Sequence, residues 1–248
     1  MKEETEFRPK PLVAIGQRPI IWHIMKLFSF YGFKDFILCL GYRGDLLKEY
    51  FLKFRTMHAD FTINLKDKST IRFHNEDHDT DWNVTLAHTG LRTPTGGRIH
   101  KIAHYITEDH FFVTYGDGLA DINIRRLLEH HLAKGKTGTM TGVHPVSRYG
   151  VIDYHNDGIR LFREKPLHEG WINGGFFVFQ RRFFDYLDTD AVLEKEPMDA
   201  LIGKKQLALY RHHGFWRSMD TFKDAKQLNA LYAAGRTPWM VWRDPGAS

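Results

Sequence analysis

With 248 residues, of which 42% are hydrophobic and 14% aromatic, the chain can form one large α/β domain and is not expected to be disordered. Its formal charge of +5 suits anionic ligands such as phosphates; because Lys and Arg are dispersed, nucleic-acid binding is the weaker interpretation. The single cysteine, Cys39, excludes an internal disulfide framework and a multi-cysteine zinc site, and no apolar run approaches the roughly 20 residues of a membrane span.

The N-terminus and the cysteine also bear on the cellular compartment. Residues 1–10 are charged throughout, so we expect no secretory signal peptide. Cys39 lies in an apolar run, residues 36–40, where a buried and unreactive thiol is favoured. These features favour the cytoplasm as the compartment, and we expect no membrane partner.

The first third of the chain alternates helix and strand patterns. Apolar residues at helical spacing follow Pro19 and end at Gly32, which predicts a helix. Residues 36–40 form a continuous apolar run typical of a buried parallel strand, and a second helical pattern covers residues 46–54. Such alternation is typical of a doubly wound sheet. Between residues 60 and 90, alternating apolar and polar residues predict short strands of a small inserted β region.

The rest of the chain predicts further strands and helices without an internal repeat or a linker. The spacing predicts a helix over residues 98–106, a buried strand over 111–115 and a helix over 122–134 that Asp121 caps. The second half predicts strands over 139–144, 149–154, 159–163, 171–179 and 207–210, and helices around 181–188, 194–203 and 221–234. We therefore expect one α/β domain, residues 1–248, with a Rossmann-like, mixed and mostly parallel sheet flanked by helices.

A glycine-flanked aspartate, in Tyr115-Gly116-Asp117-Gly118, follows one of the predicted buried strands. In open α/β sheets, ligands bind beyond the carboxyl ends of the strands. Glycine lets a ligand approach the backbone closely, and an aspartate can hold a hard cation such as Mg²⁺ through oxygen. The motif predicts a metal and phosphate site, although an ordinary glycine-rich turn with a solvated aspartate fits it equally well.

A second aspartate, Asp220, directly precedes a predicted helix in the segment FWRSMDT. By itself it is best interpreted as the residue that caps this helix. Paired with Asp117 it becomes a second metal ligand, because Mg²⁺ is usually held by one or two carboxylates together with substrate phosphates.

Two lysines lie next to prolines and could contact phosphate. Pro9 and Pro11 on either side of Lys10 predict an extended backbone, and a lysine displayed in this way can act as a point charge on phosphate. Glu164 and Lys165 follow a predicted strand and precede a proline, which suits a sugar hydroxyl and a phosphate. The alternatives are a solvated basic segment for Lys10 and an exposed ion pair of little energetic value for Glu164 and Lys165.

The segment Ile172-Asn173-Gly174-Gly175 leads into another apolar strand. The amide of Asn173 can hydrogen-bond sugar hydroxyls, and the glycines leave room for a sugar ring. A β-bulge is the structural alternative for a glycine pair inside a strand.

Taken in order, these motifs resemble those of the sugar nucleotidyltransferase family, and the resemblance spans nearly the whole chain. RPKPL (residues 8–12) is similar to the KPKP-type lysine motif of the family, and YGDG (115–118) to its metal-binding aspartate. REKP (163–166) and INGGFFVF (172–179) are similar to its EKP motif and its sugar-binding strand. FWRSMDT (215–221) resembles the second metal aspartate of the cytidylyltransferase branch, with further agreement in PIIWHIMKLFSFYG, TPTGGRI and PWMVW.

The resemblance implies a fold and a reaction. The fold would be that of the nucleotide-diphospho-sugar transferases. The reaction would transfer a cytidylyl group from CTP to glucose 1-phosphate, with Mg²⁺ as cofactor, giving CDP-glucose and pyrophosphate. The partners would be these small molecules and not nucleic acid. We also expect a homo-oligomer, for which the aromatic tail of Trp239, Met240 and Trp242 offers a surface that could pack on a neighbour.

The resemblance also assigns roles to individual residues. The metal ligands would be Asp117 and Asp220, and the residues that contact phosphate would be Lys10 and, for the sugar phosphate, Lys165. The other substrate contacts would come from Arg98 on the nucleotide side and from Gly116, Gly150, Glu164, Asn173 and Gly174.

The chain departs from the family pattern at its start. The family opens with a strand and a loop of the type GGxGTRL before KPKP, whereas residues 1–5 here stand where that segment ends. We therefore expect the loop whose backbone amides cradle nucleotide phosphates to be absent. Three hypotheses follow: a normal enzyme whose true start lies upstream, a catalytically inactive homologue that serves as a binding or regulatory subunit, and an active transferase with another nucleotide preference.

Overall fold

Helices and strands alternate along the chain. The computed structural model describes residues 9–67, 70–74, 80–145, 151–155, 158–163 and 170–243. In this part of the chain the α-helices are α1 (Ile20–Phe30), α2 (Gly44–Leu52), α3 (Phe54–His58), α4 (Thr95–Lys101), α5 (Ile124–Lys134), α6 (Glu196–Gly203) and α7 (Phe222–Ala233). The strands are β1 (Ala14–Ile15), β2 (Arg18–Pro19), β3 (Asp35–Leu40), β4 (Phe61–Ile63), β5 (Ile71–Phe73), β6 (Asn83–His88), β7 (His110–Thr114), β8 (Gly118–Ala120), β9 (Gly138–Val143), β10 (Val151–His155), β11 (Gly158–Arg163), β12 (Ile172–Gln180), β13 (Leu207–Arg211) and β14 (Trp216–Ser218). Among the described helices, none is both long enough and apolar enough to span a bilayer.

The largest sheet has four strands in the order β13-β9-β12-β7. Strand β12 runs antiparallel to both of its neighbours, whereas β13 and β9 are parallel. Three of the four strands therefore point in the same direction. Strands β3 and β6 form a separate parallel pair. The mixed sheet that the sequence predicted is confirmed, although β12 runs against both of its neighbours.

Strand β12 supplies side chains to two apolar clusters, one on each face of the sheet. Phe176 and Val178 pack with residues of α1, α5 and α7, whereas Phe177 and Phe179 pack with residues of α4 and α6. Successive residues of a strand point to opposite faces, so an unbroken apolar run requires cover on both sides. This requirement places helices above and below the sheet, as the sequence predicted.

The aromatic C-terminal segment packs on the chain itself. Trp239 and Met240 are only 1% and 5% exposed and belong to the cluster that contains α1 and α7. The indole N–H of Trp239 donates to Nδ1 of His23 at 3.4 Å. The expectation that this tail packs on a neighbouring molecule is therefore wrong for these two residues. The homo-oligomer stays a prediction.

One helix cap differs from the prediction. The helix expected from residue 122 begins at Ile124, and the side chain of Asn123 accepts the hydrogen bond of the Arg126 N–H at 2.9 Å. Asp121 is not the cap, because it directly follows strand β8 (residues 118–120) and the helix begins only three residues later. The Asp121 carboxylate lies 2.8 Å from the ring of His212 instead.

Helix α4 begins at Thr95, earlier than the predicted start at residue 98, and a 3₁₀ turn follows it over Ala103–Tyr105. The early start depends on tertiary packing, because glycines are weak helix formers. A Cβ atom on Gly97 would lie 2.1 Å from the carbonyl oxygen of Thr189, and one on Gly96 would lie 2.8 Å from that of Ala191. The glycines thus let the helix start lie directly against residues 189–191.

The region between residues 60 and 90 contains two kinds of pairing. Strands β4 and β5 form an antiparallel pair with Phe61 opposite Phe73. Strand β6 instead pairs with β3 in the separate parallel pair. The division of the chain into one domain with an inserted β region stays a prediction.

Two buried histidines are uncharged in the folded protein. Burial is the main cause that lowers the pKa of His23 from 6.5 to about 4. Burial, together with the nearby rings of His110 and His130, lowers the pKa of His131 to about 4 as well. The His131 ring is fully buried, with Nδ1 2.8 Å from the hydroxyl oxygen of Thr139. Both rings therefore stay unprotonated in the folded protein until the pH falls to about 4.

We expect acid to destabilise the protein through His131. The unfolded chain takes up a proton as the pH falls through 6.5, whereas folded His131 does so only near 4. Stability is thus lost between these values, by about 2 kcal/mol between pH 7 and pH 5 for this one group. Urea unfolding of wild type and His131→Asn at both pH values measures it: the variant should lose about 2 kcal/mol less than wild type. An equal loss in both proteins would contradict the assignment, and His104→Asn, at an exposed position, is the matched control.

Candidate active site

Two strands bring the predicted metal ligands together. Asp117 follows β7, and Asp220 follows β14. Strands β8 and β14 pair antiparallel with Gly118 opposite Ser218, and the Met219 N–H donates to the carbonyl oxygen of Asp117 at 2.8 Å. This ladder fixes the two carboxylates next to each other although they are 103 residues apart in sequence.

Lys10 connects the two carboxylates. Its Nζ atom lies 3.3 Å from Oδ2 of Asp117 and 3.2 Å from Oδ1 of Asp220. The sequence predicted an extended backbone here, but Lys10–Leu12 forms a 3₁₀ turn, and only Pro9 is extended. Pro11 fits this turn because its fixed φ angle is compatible with the first turn of a helix. Three separate segments thus meet at one ammonium group.

Burial and charge act in opposite directions on this group of side chains. Burial raises the pKa of Asp117 and outweighs the lowering effect of Lys10, while the neighbouring Asp220 charge raises it further. Burial would lower the pKa of Lys10, but the two carboxylates outweigh it and raise the pKa. The carboxylates therefore require a cation between them when both are ionised.

The carboxylate pair fits a divalent cation. Asp117 and Asp220 lie close enough to share one positive charge, here the Lys10 ammonium. Within the described residues, His, Cys, Asp and Glu side chains form no group of three or more that could hold a metal ion. Two carboxylates suffice for Mg²⁺ when substrate phosphates and water supply the remaining oxygens.

Asp220 does not cap the helix that follows it, so this interpretation is wrong. Thr221 caps α7: its side chain accepts from the Asp224 N–H, and the Asp224 side chain accepts from the Thr221 N–H, which is a capping box. The Asp220 carboxylate accepts from the Ser218 hydroxyl at 2.8 Å and faces Lys10. It remains oriented towards the site.

A cavity of about 240 Å³ opens beside the carboxylates. It is lined by Thr114, Tyr115, Asp117, Gly118, Gly174, Gly175, Phe176, Trp216, Ser218 and Asp220. The cavity thus joins both predicted metal ligands to Gly174 of the predicted sugar strand. Gly116 is not part of this lining; a Cβ atom there would lie 3.1 Å from the Pro11 ring, so this glycine admits the proline turn. Its role in substrate binding stays a prediction.

Asn173 is held by a network that the sequence did not indicate. Its side-chain oxygen accepts from the Gly175 N–H at 2.8 Å, and its amide donates to the Tyr115 hydroxyl at 3.2 Å. The Tyr115 hydroxyl lies 2.5 Å from a Glu194 carboxylate oxygen, and the other oxygen of Glu194 accepts from the Thr95 hydroxyl at 2.8 Å. Burial raises the pKa of Tyr115, and the hydrogen bond to Glu194 raises it further. The hydroxyl therefore acts as a donor.

The β-bulge interpretation of the glycine pair is confirmed. The register between β12 and β9 shifts between Asn173 and Phe177, and Gly175 adopts a φ of +77°. The indole N–H of Trp216 donates to the carbonyl oxygen of Gly174 at 2.8 Å. The bulge therefore turns a backbone acceptor towards β14 and connects the two sides of the cavity.

Arg98 lies apart from the cavity lining. Its guanidinium donates to the Thr89 hydroxyl at 2.7 Å and to the carbonyl oxygen of Leu91 at 3.4 Å. It also lies against Gly41, where a Cβ atom would come within 2.5 Å of it. Its role on the nucleotide side stays a prediction. Gly150, Glu164 and Lys165 lie outside the described residues, so their roles stay predictions too.

The sequence motifs do not assign a role to three side chains at the site: Tyr115, Trp216 and Glu194. Tyr115 and Trp216 belong to the motifs that contain the two aspartates, so the signal that identifies them is a hydrogen-bonding aromatic residue near each aspartate. Glu194 lies 79 residues from its partner Tyr115 and belongs to no recognised motif. No local signal pointed to it.

The model of the family described as "Nucleotidyl transferase" matches residues 5–247. The chain belongs to this family. It is 42% identical to a glucose-1-phosphate cytidylyltransferase of Salmonella typhimurium over 98% of this chain and 95% of that protein. It is also 42% identical to a probable glucose-1-phosphate cytidylyltransferase of Bacillus subtilis, with the same coverage. A mannose-1-phosphate guanyltransferase of Schizosaccharomyces pombe is 27% identical over 90% of this chain and 58% of that protein.

Solved structures share the fold at low sequence identity. HddC from Yersinia pseudotuberculosis has a TM-score of 0.63 at 20% identity and covers 90% of each chain. An apo UDP-glucose pyrophosphorylase has a TM-score of 0.68 at 14% identity, covering 95% of this chain and 94% of that one. The family and the fold that the sequence predicted are confirmed.

We expect Tyr115 and Glu194 to be energetically coupled. Tyr115→Phe removes the hydroxyl that both Glu194 and Asn173 contact, and the cost should be about 1–2 kcal/mol of unfolding free energy. Urea unfolding measures the free energy of unfolding of Tyr115→Phe, Glu194→Gln and the double variant. The loss in the double variant should be at least about 0.5 kcal/mol smaller than the sum of the two single-variant losses. Additive losses would show that the two groups do not interact. Tyr105→Phe, which removes the hydroxyl of an exposed tyrosine, is the control.

Proposed function

We propose that the chain transfers a cytidylyl group from CTP to glucose 1-phosphate and releases CDP-glucose and pyrophosphate. The observation that carries this proposal is the meeting of Lys10, Asp117 and Asp220 beside the cavity. It is a charge arrangement suited to two phosphate-bearing substrates and a divalent metal. Membership of the nucleotidyl transferase family and 42% identity to glucose-1-phosphate cytidylyltransferases support the choice of reaction.

The reaction requires positioning and charge neutralisation more than proton transfer. A phosphate oxygen of glucose 1-phosphate attacks the α-phosphorus of CTP, the bond between the α-phosphorus and its bridging oxygen breaks, and pyrophosphate leaves. The attacking oxygen is already ionised, so no base is needed. What opposes the reaction is repulsion between anions, and fixed positive charge in a partly buried site lowers this barrier.

Each residue of the group has a proposed part in this chemistry. Asp117 and Asp220 would hold Mg²⁺, which when bound neutralises charge on the triphosphate. Lys10 contacts the phosphates of CTP with its ammonium, and the proline turn around it fixes where that ammonium can reach. The Ser218 hydroxyl orients the Asp220 carboxylate through its hydrogen bond.

The sugar and the base would be bound on two sides of this group. Asn173 and Gly174 lie at the bulge of β12, where Tyr115 and Trp216 hold the backbone and amide in one arrangement. We place the sugar there, together with Gly150, Glu164 and Lys165. We place the nucleotide on the side of Arg98 and the substrate phosphates near Gly116. The proposed compartment is the cytoplasm, where CTP is made and used, and the proposed assembly is a homo-oligomer.

Pyrophosphate release tests the proposal. With glucose 1-phosphate and Mg²⁺, we expect release with CTP and not with ATP, GTP, UTP or dTTP. Asp117→Asn keeps the shape of the side chain but removes its charge, and it should lower the rate by about 10²–10³-fold. Asp81→Asn, which removes an exposed carboxylate paired with Lys34, is the matched control and should keep the wild-type rate. Release with another nucleotide alone would correct the nucleotide choice, and folded protein that is silent with all five would overturn the proposed activity.

A further inference from the structure

The Lys10 ammonium occupies the position at which a shared metal ion would sit. Its Nζ atom is within 3.3 Å of one oxygen from each carboxylate. A divalent cation bound by the same carboxylates would need these oxygens at about 2.0–2.1 Å for Mg²⁺. An ammonium and a metal ion cannot both lie between the carboxylates at these distances. A metal ion held by these same two oxygens, Oδ2 of Asp117 and Oδ1 of Asp220, would therefore displace the lysine.

The charges give the same result. Two ionised carboxylates carry a charge of −2, and Lys10 reduces the charge of the group to −1. A divalent ion would then meet a weaker attraction than two free carboxylates would offer, and it would repel the ammonium. Lys10 thus opposes metal binding for as long as it has no other anion to contact.

The surroundings allow the side chain to move while the rest of the group stays in place. The Lys10 side chain is 37% exposed, so its ammonium can turn towards solvent or substrate. Its backbone is fixed by the 3₁₀ turn and by Pro11 against Gly116. Asp220 is held by Ser218, and the following helix has its own capping box. The Asp220 carboxylate therefore has a second partner besides Lys10, and the backbone of Asp117 is held by its hydrogen bond with the Met219 N–H.

We propose that Lys10 is an exchangeable counter-ion: it neutralises Asp117 and Asp220 before the metal binds and contacts the triphosphate afterwards. The inference rests on the proposed function for the identity of the triphosphate. Since the triphosphate gives the ammonium a new partner, nucleotide and metal bind cooperatively, and each raises the affinity of the other by the same factor. Free metal ions alone occupy the site only weakly, which favours arrival of the metal together with the nucleotide.

Direct measurement of Mn²⁺ binding tests the exchange without any turnover. The free ion is counted by electron paramagnetic resonance in titrations of nucleotide-free wild type and Lys10→Met. We expect Lys10→Met to bind Mn²⁺ about 5- to 150-fold more tightly, the usual range for a coupling between two sites. Lys10→Arg keeps the positive charge and should bind as weakly as wild type. Lys34→Met, which removes a surface lysine paired with Asp81, should also be unchanged.

A second titration adds a CTP analogue with a methylene group between the α- and β-phosphorus atoms. The analogue should tighten Mn²⁺ binding to wild type by a larger factor than to Lys10→Met, because only in wild type does it also remove an ammonium from the carboxylates. Circular dichroism at the titration temperature verifies that each variant is folded. Asp117→Asn should abolish tight Mn²⁺ binding, both alone and when combined with each Lys10 variant.

The outcomes separate this inference from the proposed function. If wild type binds Mn²⁺ with the analogue but folded Lys10→Met binds the free ion no more tightly than wild type does, the exchange is overturned and the proposed reaction is unaffected. The same conclusion follows if Lys10→Arg binds as tightly as Lys10→Met. If wild type binds no Mn²⁺ even with the analogue, the metal assignment fails and the exchange fails with it.

Discussion

The site depends on one electrostatic constraint: two carboxylates that are held side by side and partly buried require a cation between them. The pairing of β8 with β14 forces Asp117 and Asp220 together, and Lys10 supplies the charge. Because the ladder is a backbone feature, the backbone positions of both aspartates do not depend on Lys10. The same constraint that holds Lys10 between the carboxylates suits the proposed binding of a metal ion and a triphosphate.

Strand β12 connects this charged group to the rest of the fold. Its residues 176–179 are buried on both faces of the sheet, which fixes the strand firmly between two layers of helices. At its start the bulge releases the backbone from the ladder, so that Gly174 can accept from Trp216 and Asn173 can contact Tyr115. A strand that is buried in its middle and irregular at its start supplies the fixed backbone and the polar groups that the proposed sugar site requires.

Competition among neighbouring polar residues explains the local errors. Asp121 and Asp220 each stand where a cap was plausible, yet Asn123 and Thr221 cap the helices. Asp121 directly follows β8 and Asp220 lies two residues after β14, and each aspartate side chain contacts a residue outside the helix that follows it. Capping preference is worth about 1 kcal/mol, too little to override the strand pairing that sets where the helix can begin.

By itself the sequence determined the family, the mixed α/β class and most of the elements, because apolar periodicity and glycine-flanked motifs are local properties that a linear pattern preserves. It also pointed to Asp117, Asp220 and Lys10 as chemistry-bearing residues, since each stands in a short motif. Only the tertiary structure decided that both aspartate carboxylates lie within 3.3 Å of the Lys10 ammonium. Only the tertiary structure revealed Glu194 as the partner of Tyr115. Such contacts join residues from 79 to 210 positions apart, and their geometry is set by strand register and packing, which no local pattern encodes.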